Sequence, residues 1–207
     1  MFWDMVAPIY NFYENIYNGK VNRQVQVEVA ALINTTDRVL ECACGAGMLT
    51  VSIAKKCREL IATDYSTGML QQISKVCKDL PNVQIKRADI TKLNCKNDSF
   101  DKVVAGNVIH LLDNPSAAIA ELLRVCKPGG KLIIPTYINI EREGNPDILV
   151  RLIKKLGADF KQQFNFATYQ EFFKESGYTD AEYILADGKM PCAIAIITKE
   201  KVENERT

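Results

Sequence analysis

The sequence predicts one α/β domain built on a largely parallel sheet that closes with a reversed strand. Three observations carry that prediction. Short β-branched runs alternate with helical patterns from Arg38 to Pro135, the signature of repeated strand–helix–strand units. A glycine-bearing turn, Gly45-Ala46-Gly47, follows the first of those runs. The last two runs are joined through Asp187-Gly188 and Pro191, too short a link for a crossover helix, so those strands must be antiparallel.

Taken in order, Arg38–Cys42 reads as the first strand, Leu60–Thr63 as the second and Val83–Lys86 as the third. Lys102–Ala105 and Lys131–Pro135 follow, then Tyr183–Leu185 and Ala193–Ile197. Ser66 is a helix N-cap, and Met69, Leu70, Ile73, Val76, Cys77 and Leu80 trail it at helical spacing. Asn114-Pro115 pairs a cap with proline at the first helical position. Ala118, Ile119, Leu122 and Leu123 form the apolar face, and the helix is expected to stop before Pro128-Gly129-Gly130. Thr168 and Glu171 have capping-box spacing, and Gly177 closes that helix. Aromatic residues crowd the flanks, among them Trp3, Tyr10 and Tyr17 on one side and Phe164, Tyr169 and Phe173 on the other. The flanks read as covers over the sheet, with 1–34 as an N-terminal helical cover and 138–165 as a lid insertion within a single domain over 1–207.

Composition narrows the function. The chain has 207 residues, enough for one such domain. Lys+Arg is 26 against 25 Asp+Glu, and a net charge of +1 lacks the basic excess that drives nucleic-acid binding. A small-molecule substrate is expected instead. The start, Met1-Phe2-Trp3-Asp4, is no signal peptide, and no apolar run approaches the ~20 residues that span a bilayer. The 7 cysteines are an odd number in a chain that needs no staples, which points to reduced thiols in a cytoplasm. Cys42-Ala43-Cys44 suggests a metal at first sight. A zinc site needs four spaced ligands, however, and His110 is the only histidine, so buried thiols are expected and no metal.

The chemistry concentrates at the strand ends. Glu41-Cys42-Ala43-Cys44-Gly45-Ala46-Gly47 lies where the first strand yields to a helix, and its glycines let backbone approach a ligand. A dinucleotide fingerprint needs G-x-G-x-x-G around a pyrophosphate. Gly45-x-Gly47 is followed by Thr50 at the third position, and the frame on Ala43 and Gly45 puts Met48 there, so neither frame fits. S-adenosylmethionine has no phosphate and needs no such cradle. Asp64 ends the second strand, where a carboxylate can accept both ribose hydroxyls of either ligand type. The competing reading is a solvent-facing aspartate that caps the next helix. Asp89, after the third strand, is placed to reach an adenine edge, with an ordinary loop carboxylate as its competitor.

These residues resemble the class I S-adenosylmethionine-dependent methyltransferases, and within them the methyltransferase type 11 branch that contains the ubiquinone and menaquinone C-methyltransferases. Val39–Gly47 is similar to that family's first motif, with Glu41 in the acidic position. Ile61–Ser66 is similar to the second, with Met69 beyond it, and Arg87–Ile90 to the third. Phe100–Asn107 is similar to the fourth, and Arg124–Gly130 leads into the fifth strand. Ala43 stands where the commonest form of the first motif has glycine.

The resemblance implies a Rossmann-like three-layer sandwich with a seven-stranded sheet in the order 3-2-1-4-5-7-6 and strand 7 antiparallel. It also implies S-adenosyl-L-methionine as cofactor and S-adenosyl-L-homocysteine as product. Glu41 and the loop of Cys42, Ala43, Gly45 and Gly47 would meet the methionine part. Asp64 would hold the ribose and Asp89 with Ile90 the adenine, and Tyr65 and Met69 would also contact the cofactor. Gly106 and Asn107 would lie beneath the sulfonium. The segment Ala7–Asn11 looks like the family's N-terminal closure.

His110, three residues past Asn107, is a candidate general base if the acceptor arrives protonated, and a packed or hydrogen-bonded histidine otherwise. Tyr10 and Tyr137 are candidates for the acceptor pocket; core or rim packing is the competing reading. Asn107-Val108-Ile109-His110 lacks the Asn/Asp-Pro-Pro-aromatic turn of amino-directed nucleic-acid enzymes. Pro191-Cys192 is too remote to serve as a cytosine C5 nucleophile. The expected activity is methyl transfer to a small quinone-like, aromatic or apolar metabolite. The rivals are a non-catalytic relative with the same fold and a nicotinamide-dependent oxidoreductase.

Overall fold

The computed structural model describes residues 18–139 and 161–201. The helix over 18–31 is α1. After it come β1 (Arg38–Cys42), α2 (Thr50–Ala54), β2 (Glu59–Asp64), α3 (Thr67–Val76) and β3 (Val83–Arg87). Next are β4 (Phe100–Ala105), a 3-10 turn (Ile109–Leu111), α4 (Pro115–Val125) and β5 (Cys126–Tyr137). α5 (Phe166–Glu175), β6 (Glu182–Ala186) and β7 (Cys192–Thr198) complete the described chain.

The seven strands form one sheet in the order β3-β2-β1-β4-β5-β7-β6. The first five in sequence pair in parallel, while β7 runs antiparallel to both β5 and β6. Alternating side chains divide the core between the two faces, as strand geometry requires. Val39, Leu60, Val104, Ile133 and Ile194 pack beneath Val21, Val25 and Val29 of α1 and Ile53 of α2. On the same side Ile73 and Cys77 bury against Ala62 and Cys44. Leu40, Ile61, Val103, Leu132 and Ala195 face the other way, onto Ile119 and Leu122 of α4 and Tyr169 and Phe173 of α5. The result is a three-layer, Rossmann-like sandwich.

Local chemistry sets the helix starts. The Ser66 hydroxyl accepts the Met69 amide at 3.2 Å, and the Asn114 side chain accepts that of Ala117 at 3.0 Å ahead of Pro115. Two expectations are corrected. The capping box of α5 is formed by Asn165 and Thr168, not Thr168 and Glu171. Asn165 accepts the Thr168 amide at 2.8 Å, while the Thr168 hydroxyl accepts the Asn165 amide at 2.9 Å, so the helix begins earlier. Similarly, β5 starts at Cys126 and runs through Pro128-Gly129-Gly130. Phe100 pairs with Cys126, and the Gly129 amide donates to the Lys199 carbonyl at 2.7 Å, so neighbouring strands satisfy a backbone that composition alone marks as a turn.

The first described turn of α1 is pinned to the β6–β7 connection. Asn18 Nδ2 donates to the Met190 carbonyl at 2.7 Å, and Val21 lies so close to Gly188 that a Cβ there would come within 2.3 Å of it. All seven cysteines are free; Cys95 is half-buried and the others are buried. No helix among the described residues is long and apolar enough to cross a membrane. Tyr10, the Ala7–Asn11 segment and most of the expected lid lie outside the described residues.

Candidate cofactor site

Parallel strands leave their carboxyl ends on one rim, and β1 to β4 bring four loops together there. A cavity of about 370 Å³ opens between them, within the range of small-molecule sites. The first loop folds back through left-handed backbone at Ala43 (φ 52°), Gly45 (φ 55°) and Gly47 (φ 99°). The Gly47 amide closes the turn on the Cys44 carbonyl at 3.0 Å, and the Cys44 amide donates to the Thr63 carbonyl at 2.9 Å. A Cβ on Gly45 would meet nothing within 4 Å, so that backbone lies open to the cavity. Ala43 and Asn107 hold positive φ without being glycine, a local cost of about 1–3 kcal/mol that surrounding contacts must sustain.

Asp64, the last residue of β2, joins the loops. Its Oδ2 accepts the Gly45 amide at 2.9 Å and its Oδ1 accepts the Ser66 amide at 2.8 Å. Glu41 ends up buried under the loop, accepting the Thr50 hydroxyl at 2.7 Å. Burial pushes its carboxyl from 4.5 up to about 8; the Thr50 bond opposes that rise and the charge of Asp64 adds to it. Asp89 forms a short turn in which Oδ1 accepts the Thr91 hydroxyl at 2.7 Å and the Thr91 amide at 2.8 Å. Those bonds hold its carboxyl below the usual range.

Glu41, Ala43, Gly45, Asp64, Tyr65, Met69, Asp89, Ile90, Gly106 and Asn107 were all expected to touch a cofactor, and all line this one cavity. Cys42 and Gly47 do not line it. Cys42 packs into the core, where burial pushes its thiol up to about 12, and Gly47 serves the turn beneath. Asn107 is held from two sides: its amide donates to the Pro135 carbonyl at 2.8 Å, and its Oδ1 accepts the Tyr137 amide at 3.0 Å. Tyr137 itself turns toward α1, where its hydroxyl donates to Asn22 Oδ1.

His110 sits in the 3-10 turn behind the cavity wall. Its carbonyl accepts the amides of Lys161 and Gln162 at 3.0 and 3.1 Å. Burial lowers its ring from 6.5 to about 4, so it is neutral at pH 7. Sequence reasoning missed the apolar wall formed by Met48, Leu49, Val108, Leu111 and Leu112. Their residue types carry no signal; only their positions just after the β1 and β4 loops could have found them. Thr50, the partner of Glu41, was missed for the same reason.

Among the described residues, the lining holds three acidic side chains, Glu41, Asp64 and Asp89, and neither lysine nor arginine; burial keeps Glu41 largely protonated at pH 7. A pyrophosphate would meet repulsion from Asp64 and Asp89, and no described lining residue is a cation that could offset it. A phosphate-free nucleoside that carries positive charge suits such a lining.

Residues 40–134 match the family described as a methyltransferase domain. A demethylmenaquinone methyltransferase of Renibacterium salmoninarum is 32% identical over 137 residues, 65% of this chain and 56% of that protein. One from Paenarthrobacter aurescens is 26% identical over 228 residues, 99% of this chain and 86% of that protein. The chain therefore spans little more than half of the first relative and most of the second. Among solved structures, a SAM-dependent methyltransferase from Aquifex aeolicus superposes with a TM-score of 0.64 at 17% identity, covering 89% of this chain and 91% of that one. At that identity the likeness concerns the fold.

Proposed function

We propose that the chain is a class I S-adenosylmethionine-dependent methyltransferase and that it binds S-adenosylmethionine in the cavity at the ends of β1 to β4. There it would transfer the methyl group to a small flat or apolar acceptor. The observation that carries this reading is the open Gly45 backbone beside Asp64 and Asp89, in a lining without lysine or arginine among the described residues. When bound, the cofactor supplies a methyl group on a sulfonium, already a strong electrophile. Asp64 would hold the ribose, Tyr65, Asp89 and Ile90 the adenine, and Glu41 with the Ala43–Gly45 backbone the amino-acid end. Gly106 and Asn107 would form the floor beneath the sulfur, with Asn107 fixed by Pro135 and Tyr137.

The protein's main task is then alignment and exclusion of water, which is worth about 7–11 kcal/mol for well-oriented partners. Val108, Leu111 and Leu112 would supply the dry wall. Burial leaves His110 a weak base, which disfavours it as the group that takes a proton from the acceptor. The names of the relatives favour a quinone-like ring as the acceptor, and the apolar wall is compatible with one.

Calorimetric titration with S-adenosylhomocysteine and with NADH tests the cofactor. Binding of the first alone is expected, and binding of NADH alone would overturn the proposal. An S-adenosylhomocysteine release assay across naphthoquinol, phenol and amine acceptors tests the substrate. Turnover of amines but not of quinols would remove the quinone reading and keep the methyltransferase.

A further inference from the structure

Tyr65 follows the ribose-side carboxylate and lines the cavity, yet 48% of it is exposed. An exposed tyrosine at a strand end ordinarily hops between rotamers in picoseconds to nanoseconds and makes a poor wall. Here it is gripped from outside. Arg87 Nε donates to the Tyr65 carbonyl at 3.1 Å, and the guanidinium carbon stands 4.9 Å from the ring centroid. The hydrogen bond fixes the guanidinium to the backbone, and the planar cation then covers one ring face, inside the ~6 Å reach of a cation–π contact. Arg87 is the last residue of β3 and the register partner of Asp64, and the next amide, Ala88, donates to the Asp64 carbonyl at 3.1 Å. Among the described residues Arg87 makes no ion pair, so its two contacts with Tyr65 are what order it.

We infer that Arg87 is a positioning residue for cofactor binding: it clamps the Tyr65 ring as the outer wall of the nucleoside end, leaving the opposite face for the adenine to stack on. The inference rests on the placement of the nucleoside between Asp64, Tyr65 and Asp89 proposed above. Arginine suits the task because its flat guanidinium can stack and donate at the same time, whereas a lysine ammonium is a strongly hydrated point charge. A mere surface rivet between β2 and β3 would show itself in stability instead of in ligand affinity.

A double-mutant cycle with S-adenosylhomocysteine, read by calorimetry, tests it. Arg87→Ala is expected to weaken binding roughly 3–5-fold, the loss of an exposed cation–π contact, and Arg87→Lys to recover only part of that. Arg87 is exposed, so the melting temperature should stay within about 2 °C of the parent protein. 5′-Methylthioadenosine, which keeps the nucleoside and lacks the amino-acid tail, should show the same fold-loss. Tyr65→Ala should weaken binding about 10-fold, as loss of a base-stacking ring does, and adding Arg87→Ala should then cost nothing more. Unchanged affinity in Arg87→Ala, or an equal loss with and without the Tyr65 ring, would overturn the clamp. If Tyr65→Ala and Asp64→Ala both left affinity intact, the nucleoside placement itself would fall.

Discussion

Asp64 and Gly45 are joined by a 2.9 Å hydrogen bond in which the loop amide donates to Oδ2, while Oδ1 holds the Ser66 amide. One carboxylate thus ties the turn after β1 to the end of β2 and the start of α3. The same group is both a brace and the proposed ribose acceptor, which makes its removal informative in two ways.

Asp64→Ala should weaken S-adenosylhomocysteine binding by about 1.5–3 kcal/mol, the worth of a hydrogen bond to a charged group. It should also lower the melting temperature, because two amides lose their partner. Asp64→Asn keeps an acceptor oxygen and should recover more stability than affinity. Calorimetry and thermal melting on the three proteins separate the roles, and equal affinity in all three would contradict the site.

Glu41 should make stability and binding depend on pH. Its folded-state carboxyl lies at about 8, raised by burial from 4.5. The contribution is fully present below pH 4.5 and is lost as pH rises through about 8, because the unfolded chain ionises first. The slope cannot exceed about 1.4 kcal/mol per pH unit. The melting temperature of the ligand-free protein should therefore fall relative to Glu41→Gln between pH 5 and 8. A cation in the cavity favours the ionised form, so affinity for S-adenosylmethionine should rise over the same window, and Glu41→Gln should flatten both profiles.

His110 has the opposite sign. Burial depresses its ring from 6.5 to about 4, so its contribution is present above pH 6.5 and is lost as pH falls toward 4. Melting profiles of the parent and His110→Gln should converge on acidification. Once an acceptor is known, the rate profile should show no limb near pH 6.5; a limb that His110→Gln abolishes would restore the histidine as a base.

The two loop glycines should fail differently. Gly45→Ala puts a side chain at φ 55° with nothing within 4 Å, so folding should lose only about 1–2 kcal/mol while the Cβ intrudes on the ligand's space. Gly47→Ala, at φ 99° and 3.3 Å from Ile73 Cγ1, should cost stability with little direct effect on affinity. Melting and calorimetry on both variants would show the contrast.

The sheet was largely legible because its signals are local. Val39/Leu40 and Val103/Val104 sit at the centres of short runs that fit strands β1 and β4, and the Asp187–Pro191 link is too short to cross over. Glu41, Gly45, Asp64 and Asp89 stood out because acidic and glycine residues at strand ends are chemically conspicuous. What stayed hidden depends on neighbours distant in sequence. Pro128-Gly129-Gly130 reads as a stop, yet Phe100 and Lys199 draw the flanking backbone into β5. Arg87 looks like any polar edge residue until β3 lies beside β2 and delivers it to Tyr65. The carbon-only side chains of Leu111 and Leu112 say nothing of which void they face.

The place of β7 bears on how the molecule is made. It is the last of the seven strands to leave the ribosome, yet it lies between β5 and β6 and supplies the register for both. Until it emerges, Lys131–Tyr137 has an open flank on a nascent chain that already carries the rest of the parallel sheet. Such an unpaired edge invites pairing with other chains. Chains truncated before Cys192 should therefore sediment as aggregates, and a synthetic 192–198 peptide added during refolding should reduce the pelleted fraction.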